Sequence, residues 1–308
     1  MFIYTYACHE DETELCELEL SLLLRKPCTG GAIESDVEIT ADRSPFIRRK
    51  IHARLCADSM EELVAQLPGV ELEQGQTFKV LFTSATGEPP IAFEERRQHE
   101  RTAGAAIRGK ADMRKPDRLF GLIRWNGRWL FGPCEENSAA WLEHQKKPQN
   151  YSTALPVRAA RAIVNIAAPG RAEAVKLIDP CCGIGTVLIE AMSMGIDIEG
   201  VDLNPLAVRG ARLNLAHFGY ADKVKLGDMR ELTGHYDAAI IDMPYNLCSV
   251  LPEEEQLDML RNLRRFAARA VIVTTEPAER QAKMANWRIQ AVARLRKGSF
   301  TRYITVVE

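Results

Sequence analysis

Two stretches of the 308-residue chain carry residue types at spacings that could do chemistry. The first is Asp179-Pro180-Cys181-Cys182-Gly183-Ile184-Gly185-Thr186, between an apolar run at 175–178 and a helical pattern at 187–192. That order predicts a buried strand, a tight glycine turn and a helix. Gly183 and Gly185 allow positive φ and close approach of a ligand to the main chain, and the helix start behind them offers unpaired N–H groups. Such a turn suits a nucleotide-like ligand. A dinucleotide fingerprint would need a third glycine at position 188, where Leu188 stands, and this lowers a nicotinamide reading. Asp202-Leu203, ending the next strand, sets a carboxylate where a ribose diol could donate to it, the plainer alternative being a helix-capping aspartate. Asp228-Met229 after the third strand could bring Asp228 to an adenine amino group, or be a turn aspartate. The second stretch is Asp242-Met243-Pro244-Tyr245, following the apolar strand residues Ile240-Ile241.

The elements that must position these residues follow from periodicity. From residue 151 onward strand and helix patterns alternate: helix 155–168, strand 175–178, helix 186–194, strand 198–201, helix 205–217, strands 224–226 and 238–241, helix 253–268 and strand 270–274. A hairpin closes the chain across 289–295 and 303–307. The class is α/β, a Rossmann-like, doubly wound parallel sheet with a terminal antiparallel addition. Before it, 1–132 reads as a separate mixed α/β unit. Its signals are a strand at 1–7, an acidic helix at 10–24, a capping box at Ser59-Met60-Glu61-Glu62, a strand at 78–83, a helix at 93–107, and a hairpin turning at Asn126-Gly127. The stretch 133–150, with Lys146-Lys147-Pro148, reads as a linker. The domains expected are therefore 1–132, a linker 133–150, and 151–308.

The glycine turn, the acidic strand end and Asp242-Met243-Pro244-Tyr245, in that order, resemble the class I methyltransferases that methylate exocyclic amino groups, whose motif is Asp/Asn-Pro-Pro-Tyr/Phe. The resemblance implies S-adenosylmethionine as cofactor, held by Asp179, Cys181, Gly183, Gly185, Thr186, Asp202, Leu203, Asp228, Met229 and Asp242. It implies catalysis by Asp242, Met243, Pro244 and Tyr245. An aryl amine delocalises its lone pair into the ring, so Asp242 and a carbonyl near Met243 or Pro244 would accept its hydrogens and aim the lone pair at the methyl carbon. Tyr245 would stack on the base, worth about 1–3 kcal/mol.

The first unit resembles the THUMP domain of RNA-modifying enzymes in the 78–83 strand, Gly104-Ala105-Ala106-Ile107, Pro116-Asp117 and the 127–132 hairpin. In that family the domain grips the acceptor end of tRNA, which makes Arg101, Arg108, Arg114 and Lys115 candidates for phosphate contacts. Over its length the chain is similar to the tRNA guanosine N2-methyltransferases acting on guanosine 10, with Met243 standing where that family has proline. The implied activity is methylation of guanine N2 in tRNA. The alternatives are ribosomal RNA or adenine N6 as target, and a non-catalytic RNA-binding protein with a relic methyltransferase domain. A monomer is expected, with a small activating protein as a further partner to consider.

Bulk properties agree with a soluble two-domain chain: 46% hydrophobic, 27% charged, and no run of membrane-spanning length. The N-terminus lacks the basic start of a signal peptide, so a cytoplasmic location is expected. The eight cysteines show no metal-ligand spacing, and a reduced, metal-free protein is expected. Net charge is only -2, yet acids crowd 10–19 while bases crowd 43–54, 96–118 and 261–302, leaving local patches able to bind phosphates. Cys181 and Cys182 could suggest a nucleophile but read more simply as small packing residues. His144, His217 and His235 stand isolated and read as surface or capping residues.

Overall fold

The computed structural model describes residues 1–151, 154–170, 175–244, 252–298 and 300–308. The chain divides into two units, Met1–Ala7 with Leu24–Ser138, and Cys8–Leu23 with Ala139–Glu308.

The first unit is built on β1 (Phe2–Tyr6), β2 (Ala32–Ser35), β3 (Ile47–His52), β4 (Leu55–Ala57), β5 (Thr77–Thr83), β6 (Lys110–Ala111), β7 (Arg118–Trp125) and β8 (Arg128–Glu136). They join in the order β2-β1-β3-β8-β7-β5-β6, with β4 on β8. Alternation places Phe78, Val80 and Phe82 of β5 in the core with Leu122 and Phe131. The helix Phe93–Ala106 lies in the crossover between β5 and β7, which are parallel. Asn126 and Gly127 both take positive φ (50° and 76°), as a type I′ hairpin between β7 and β8 requires. Ser59 caps the helix Met60–Gln66, its Oγ accepting the Glu62 N–H at 3.1 Å.

The second unit carries α1 (Thr13–Leu24) up to Leu23, α4 (Val157–Ala167), β9 (Lys176–Asp179), α5 (Thr186–Ser193), β10 (Asp197–Asp202), α6 (Pro205–His217), β11 (Val224–Leu226), β12 (Ala238–Asp242), α7 (Glu253–Phe266), β13 (Ala270–Thr274), α8 (Glu279–Met284), β14 (Ile289–Lys297) and β15 (Phe300–Val307), where α2 and α3 are the two helices of the first unit. Strand order is β11-β10-β9-β12-β13-β15-β14. The first five are parallel, and β15 runs antiparallel to both neighbours. This is the doubly wound sheet with a terminal hairpin expected from the sequence. Strand order reverses between β9 and β12, so the crevice beyond their carboxyl ends is where such a sheet receives a ligand.

Two boundaries differ from expectation. The segment 133–150 is not a linker throughout: β8 continues to Glu136, and the 3-10 turn Ala140–Lys146 buries Trp141 and His144 in the second unit. Residues 8–23 also leave the first unit. Two ion pairs and a hydrogen bond tie them to the second unit, beside the buried Leu15, Leu20 and Leu23: Glu12 meets Arg158 at 2.8 Å, Glu14 meets Arg294 at 2.6 Å, and Glu19 accepts from Asn165 at 2.6 Å. Glu12 and Glu14 are thus internal counter-charges within the second unit.

Candidate active site

A cavity of about 280 Å³ opens at the carboxyl ends of β9, β10 and β12, and Asp179, Cys181, Gly183, Thr186, Asp202, Leu203, Asp228, Met229, Asp242, Met243 and Pro244 all line it. Tyr245 lies outside the described residues. Gly185 is close by without being a lining residue. At φ +80° it forms the N-cap of α5, and a Cβ there would sit 3.3 Å from Ala211 Cβ, so its role is to let α5 approach α6. Gly183, at φ +52°, faces open space: a Cβ on it would meet nothing within 4 Å.

The turn is held by the acids themselves. Asp202 Oδ2 accepts the Gly183 N–H at 2.8 Å, and its Oδ1 accepts the Asn204 N–H at 2.8 Å. Helix capping, the plainer reading of Asp202, belongs instead to Asn204, whose Oδ1 accepts from Leu206 at 2.9 Å. Asp179 is buried and accepts the Cys181 N–H at 3.2 Å. Burial first, then the neighbouring Asp242 and Asp202, push its carboxyl well above the usual range. Asp228 accepts from Arg230 through both N–H and guanidinium, at 2.8 and 2.5 Å, which holds its carboxyl below the usual range. Burial pushes the Cys181 and Cys182 thiols up, so neither is poised as a thiolate nucleophile.

Asp242 ends β12. Its Oδ1 is buried and has no hydrogen-bond partner among the described residues. Burial pushes its pKa to about 7, against a smaller opposing pull from the positive charge of Arg302. Met243 stays tied to the sheet, its N–H donating to Val273 O at 2.9 Å, so Asp242 is held where the chain leaves the strand. Thr186 Oγ1, at the start of α5, is a second buried polar atom in this cavity without a partner among the described residues.

Other residues were not singled out by the sequence. Tyr151, Leu155, Arg230, Glu255 and Met259 also line the cavity. Gly200 supports the turn from behind: a Cβ there would lie 2.7 Å from Leu188 Cδ2 and 3.0 Å from Cys182 Sγ. A glycine inside a strand pattern is a usable signal of such close approach. His144 corrects its surface reading. It is buried, with Nδ1 2.5 Å from Glu190 Oε1, while Arg161 holds the other Glu190 oxygen at 2.9 Å. Asn214 exchanges hydrogen bonds with the Gln149 main chain (2.8 and 3.0 Å) and donates to Ile184 O at 2.9 Å, fastening the segment before Tyr151 to the glycine turn. His217 and His235 are exposed, as expected.

Arg101, Arg108, Arg114 and Lys115 are exposed on the first unit, and none of them forms an ion pair among the described residues. Asp112 Oδ1 accepts the N–H groups of Arg114 and Lys115 at 2.8 and 3.0 Å, fixing those two in one turn. Among the described residues no cluster of metal-ligating side chains occurs, and no helix is long and apolar enough to cross a membrane.

Comparison with known proteins bears on the second unit. Residues 144–296 match the family model described as RMKL-like, methyltransferase domain. The chain is 31% identical over 175 residues to the tRNA (guanine(10)-N2)-dimethyltransferase of Methanothermobacter thermautotrophicus, covering 53% of this chain and 51% of that protein. It is 30% identical over 152 residues to the enzyme of the same name from Pyrococcus abyssi, covering 46% and 45%. The chain thus spans about half the length of the curated relatives it matches. The crystal structure of TrmN from Thermus thermophilus aligns with 100% of this chain and 99% of its own, at 18% identity and a TM-score of 0.49.

Proposed function

We propose that the second unit binds S-adenosylmethionine in the cavity beyond β9 and β12 and methylates an exocyclic base amino group in tRNA, guanine N2 at position 10 being the favoured target. The observation that carries this is Asp242: a buried carboxylate oxygen without a partner among the described residues, in the wall of a cavity that also holds the glycine turn. The residues present fit the cofactor. Asp179, Asp202 and Asp242 give the cavity an acidic wall, whose carboxylates a cationic sulfonium ligand would help to ionise and the pyrophosphate of a dinucleotide would oppose. Gly183 leaves room for close approach, Asp202 stands at the end of β10 for a ribose diol, and Thr186 offers a buried hydroxyl without a partner among the described residues.

The cofactor, when bound, supplies an activated methyl group, so the protein's task is positioning and electrostatics. Asp242 accepts hydrogens of the amine and directs its lone pair, and takes up the proton that becomes acidic as the new bond forms. Met243 and Pro244 contribute a main-chain acceptor beside it, and Tyr245 provides a stacking face. Asp179 and Cys181 shape the turn; Leu203, Asp228 and Met229 bound the adenine side. Arg101, Arg108, Arg114 and Lys115 of a THUMP-like first unit contact tRNA phosphates. The described lining residues all come from the second unit, which supports a monomer.

The curated relatives' names support tRNA and guanine N2 as substrate and target. The test is transfer from methyl-labelled S-adenosylmethionine into unmodified tRNA followed by nucleoside analysis. Label in N2-methylguanosine is expected. Label in N6-methyladenosine would reassign the amine, and no transfer by protein that binds the cofactor would refute tRNA as substrate.

A further inference from the structure

A second cavity of about 330 Å³ lies in the same unit, between the 3-10 turn Glu10–Glu12, the start of α4 and the β14–β15 hairpin. Its position follows from register. Tyr303 of β15 pairs with Thr274 at the carboxyl end of β13, and Asp242 pairs with Val273. The turn joining β14 to β15 therefore stands at the carboxyl edge of the parallel strands, the edge where the methyl-transfer cavity opens. Arg302 links the two spaces. It is buried, forms part of the wall of the second cavity, packs its guanidinium 4.9 Å from the Phe300 ring centroid, and its charge acts on Asp242 in the wall of the first.

The charges at this cavity are unequal in availability. Of its acids Glu12 is paired, 2.8 Å from Arg158, whereas His9 Nδ1, 3.4 Å from the Asp11 carboxylate, accepts the Asp11 N–H at 3.3 Å and leaves that carboxylate unneutralised. Glu14, which feels the Arg296 charge, is held by Arg294 at 2.6 Å. Arg296 and Lys297 on the hairpin are exposed and form no ion pair among the described residues. Two exposed cations against the one unneutralised carboxylate of Asp11 leave the mouth net positive, beside an apolar wall of Pro156, Ala159 and Leu295.

We infer that this cavity takes a phosphodiester of the RNA flanking the nucleotide presented to Asp242, with Arg296 and Lys297 as its cationic rim. The inference rests on the RNA-methyltransferase reading and adds to it a site that fixes substrate register. A base amino group is unreachable inside a helical stack, so the nucleotide must be turned out about its backbone. Anchoring the adjoining phosphate next to the acceptor holds the extruded base in place. A guanidinium and an ammonium are the groups suited to that phosphate.

The test uses the full chain with Arg296→Ala/Lys297→Ala, an unmodified tRNA transcript as probe, and binding measured across a salt series. A roughly tenfold weaker tRNA affinity is expected, with a log K against log salt slope reduced by about 1–2. S-adenosylmethionine affinity and Tm should stay at wild-type values, and Arg296→Lys/Lys297→Arg should restore tRNA binding. Lys223→Ala/Lys225→Ala, at the opposite edge of the sheet, controls for general charge loss and should bind within about twofold of wild type. If the double alanine variant keeps wild-type affinity and slope, or loses no more than the control, the inference is overturned while the enzyme reading stands. Wild-type protein that neither binds tRNA nor transfers a methyl group to it would overturn both.

Discussion

Asp242 sits where ionisation is opposed, since burial takes its carboxylate out of water and Oδ1 has no donor among the described residues. Its pKa rises from 3.8 to about 7. Between those values the folded state binds a proton that the unfolded chain has lost. The stability contributed is thus complete below the unfolded pKa and lost as pH rises through the folded one. Asp242→Asn is expected to raise Tm at pH 8 relative to wild type and to leave it nearly unchanged at pH 4. The ceiling of the gain is about 4 kcal/mol, at about 1.4 kcal/mol per pH unit. Activity runs the other way: transfer by the wild type should climb with pH to a plateau above about 7, where the acceptor is ionised. Thermal melts and a pH–rate profile check the pair, and an unchanged Tm difference between the two pH values would contradict it. Asp179, Gly183, Asp202 and Asp242 were legible in the sequence because each follows an apolar strand, a local signal. Arg230 was not singled out although its partner Asp228 is only two residues away, and for Gly200 the strand pattern signals a close approach but not its partners, Leu188 and Cys182, which only packing across space supplies.

At the scale of elements, the glycine turn owes its position to α5, and α5 is anchored by Glu190. That carboxylate is fully buried, shared between His144 and Arg161, with Lys147 also nearby and its pKa lowered chiefly by burial. Removing it by Glu190→Ala strands a buried guanidinium and imidazole. A loss of about 3–5 kcal/mol is expected from breaking a buried pair on one side. For a unit of this size that corresponds to a fall in Tm on the order of 10 °C. Cofactor affinity should weaken with it, because Thr186 and the turn sit one helical turn away. A denaturant titration showing less than about 1 kcal/mol of change would mean that water replaces the carboxylate freely. The alternation of strands and helices was legible from hydrophobic period alone, including the terminal hairpin. The segment 133–150 was not: its structure comes from His144 meeting Glu190 and Gln149 meeting Asn214, partners far along the chain, while its Lys-Lys-Pro composition reads locally as a connector.

At the scale of the whole molecule, near-neutral net charge conceals a sorting of charges. Three of the six acids of residues 8–23, Glu12, Glu14 and Glu19, are engaged within the second unit by Arg158, Arg294 and Asn165. Exposed cations are left at Arg101, Arg108, Arg114 and Lys115 on one unit and at Arg296 and Lys297 on the other. That distribution suits a polyanionic substrate better than the total charge of -2 suggests. Two units, one with the cofactor-type cavity and one with exposed cations, suit a substrate as large as tRNA. The most direct measurement of the central claim is single-turnover methyl transfer to full-length unmodified tRNA by wild type and Asp242→Asn, with S-adenosylmethionine affinity measured alongside. The expected result, at saturating cofactor, is N2-methylguanosine formed by the wild type and a rate about 10²–10⁴-fold lower in the variant, the affinity measurement showing that both proteins are loaded. Transfer by Asp242→Asn at the wild-type rate would contradict the account.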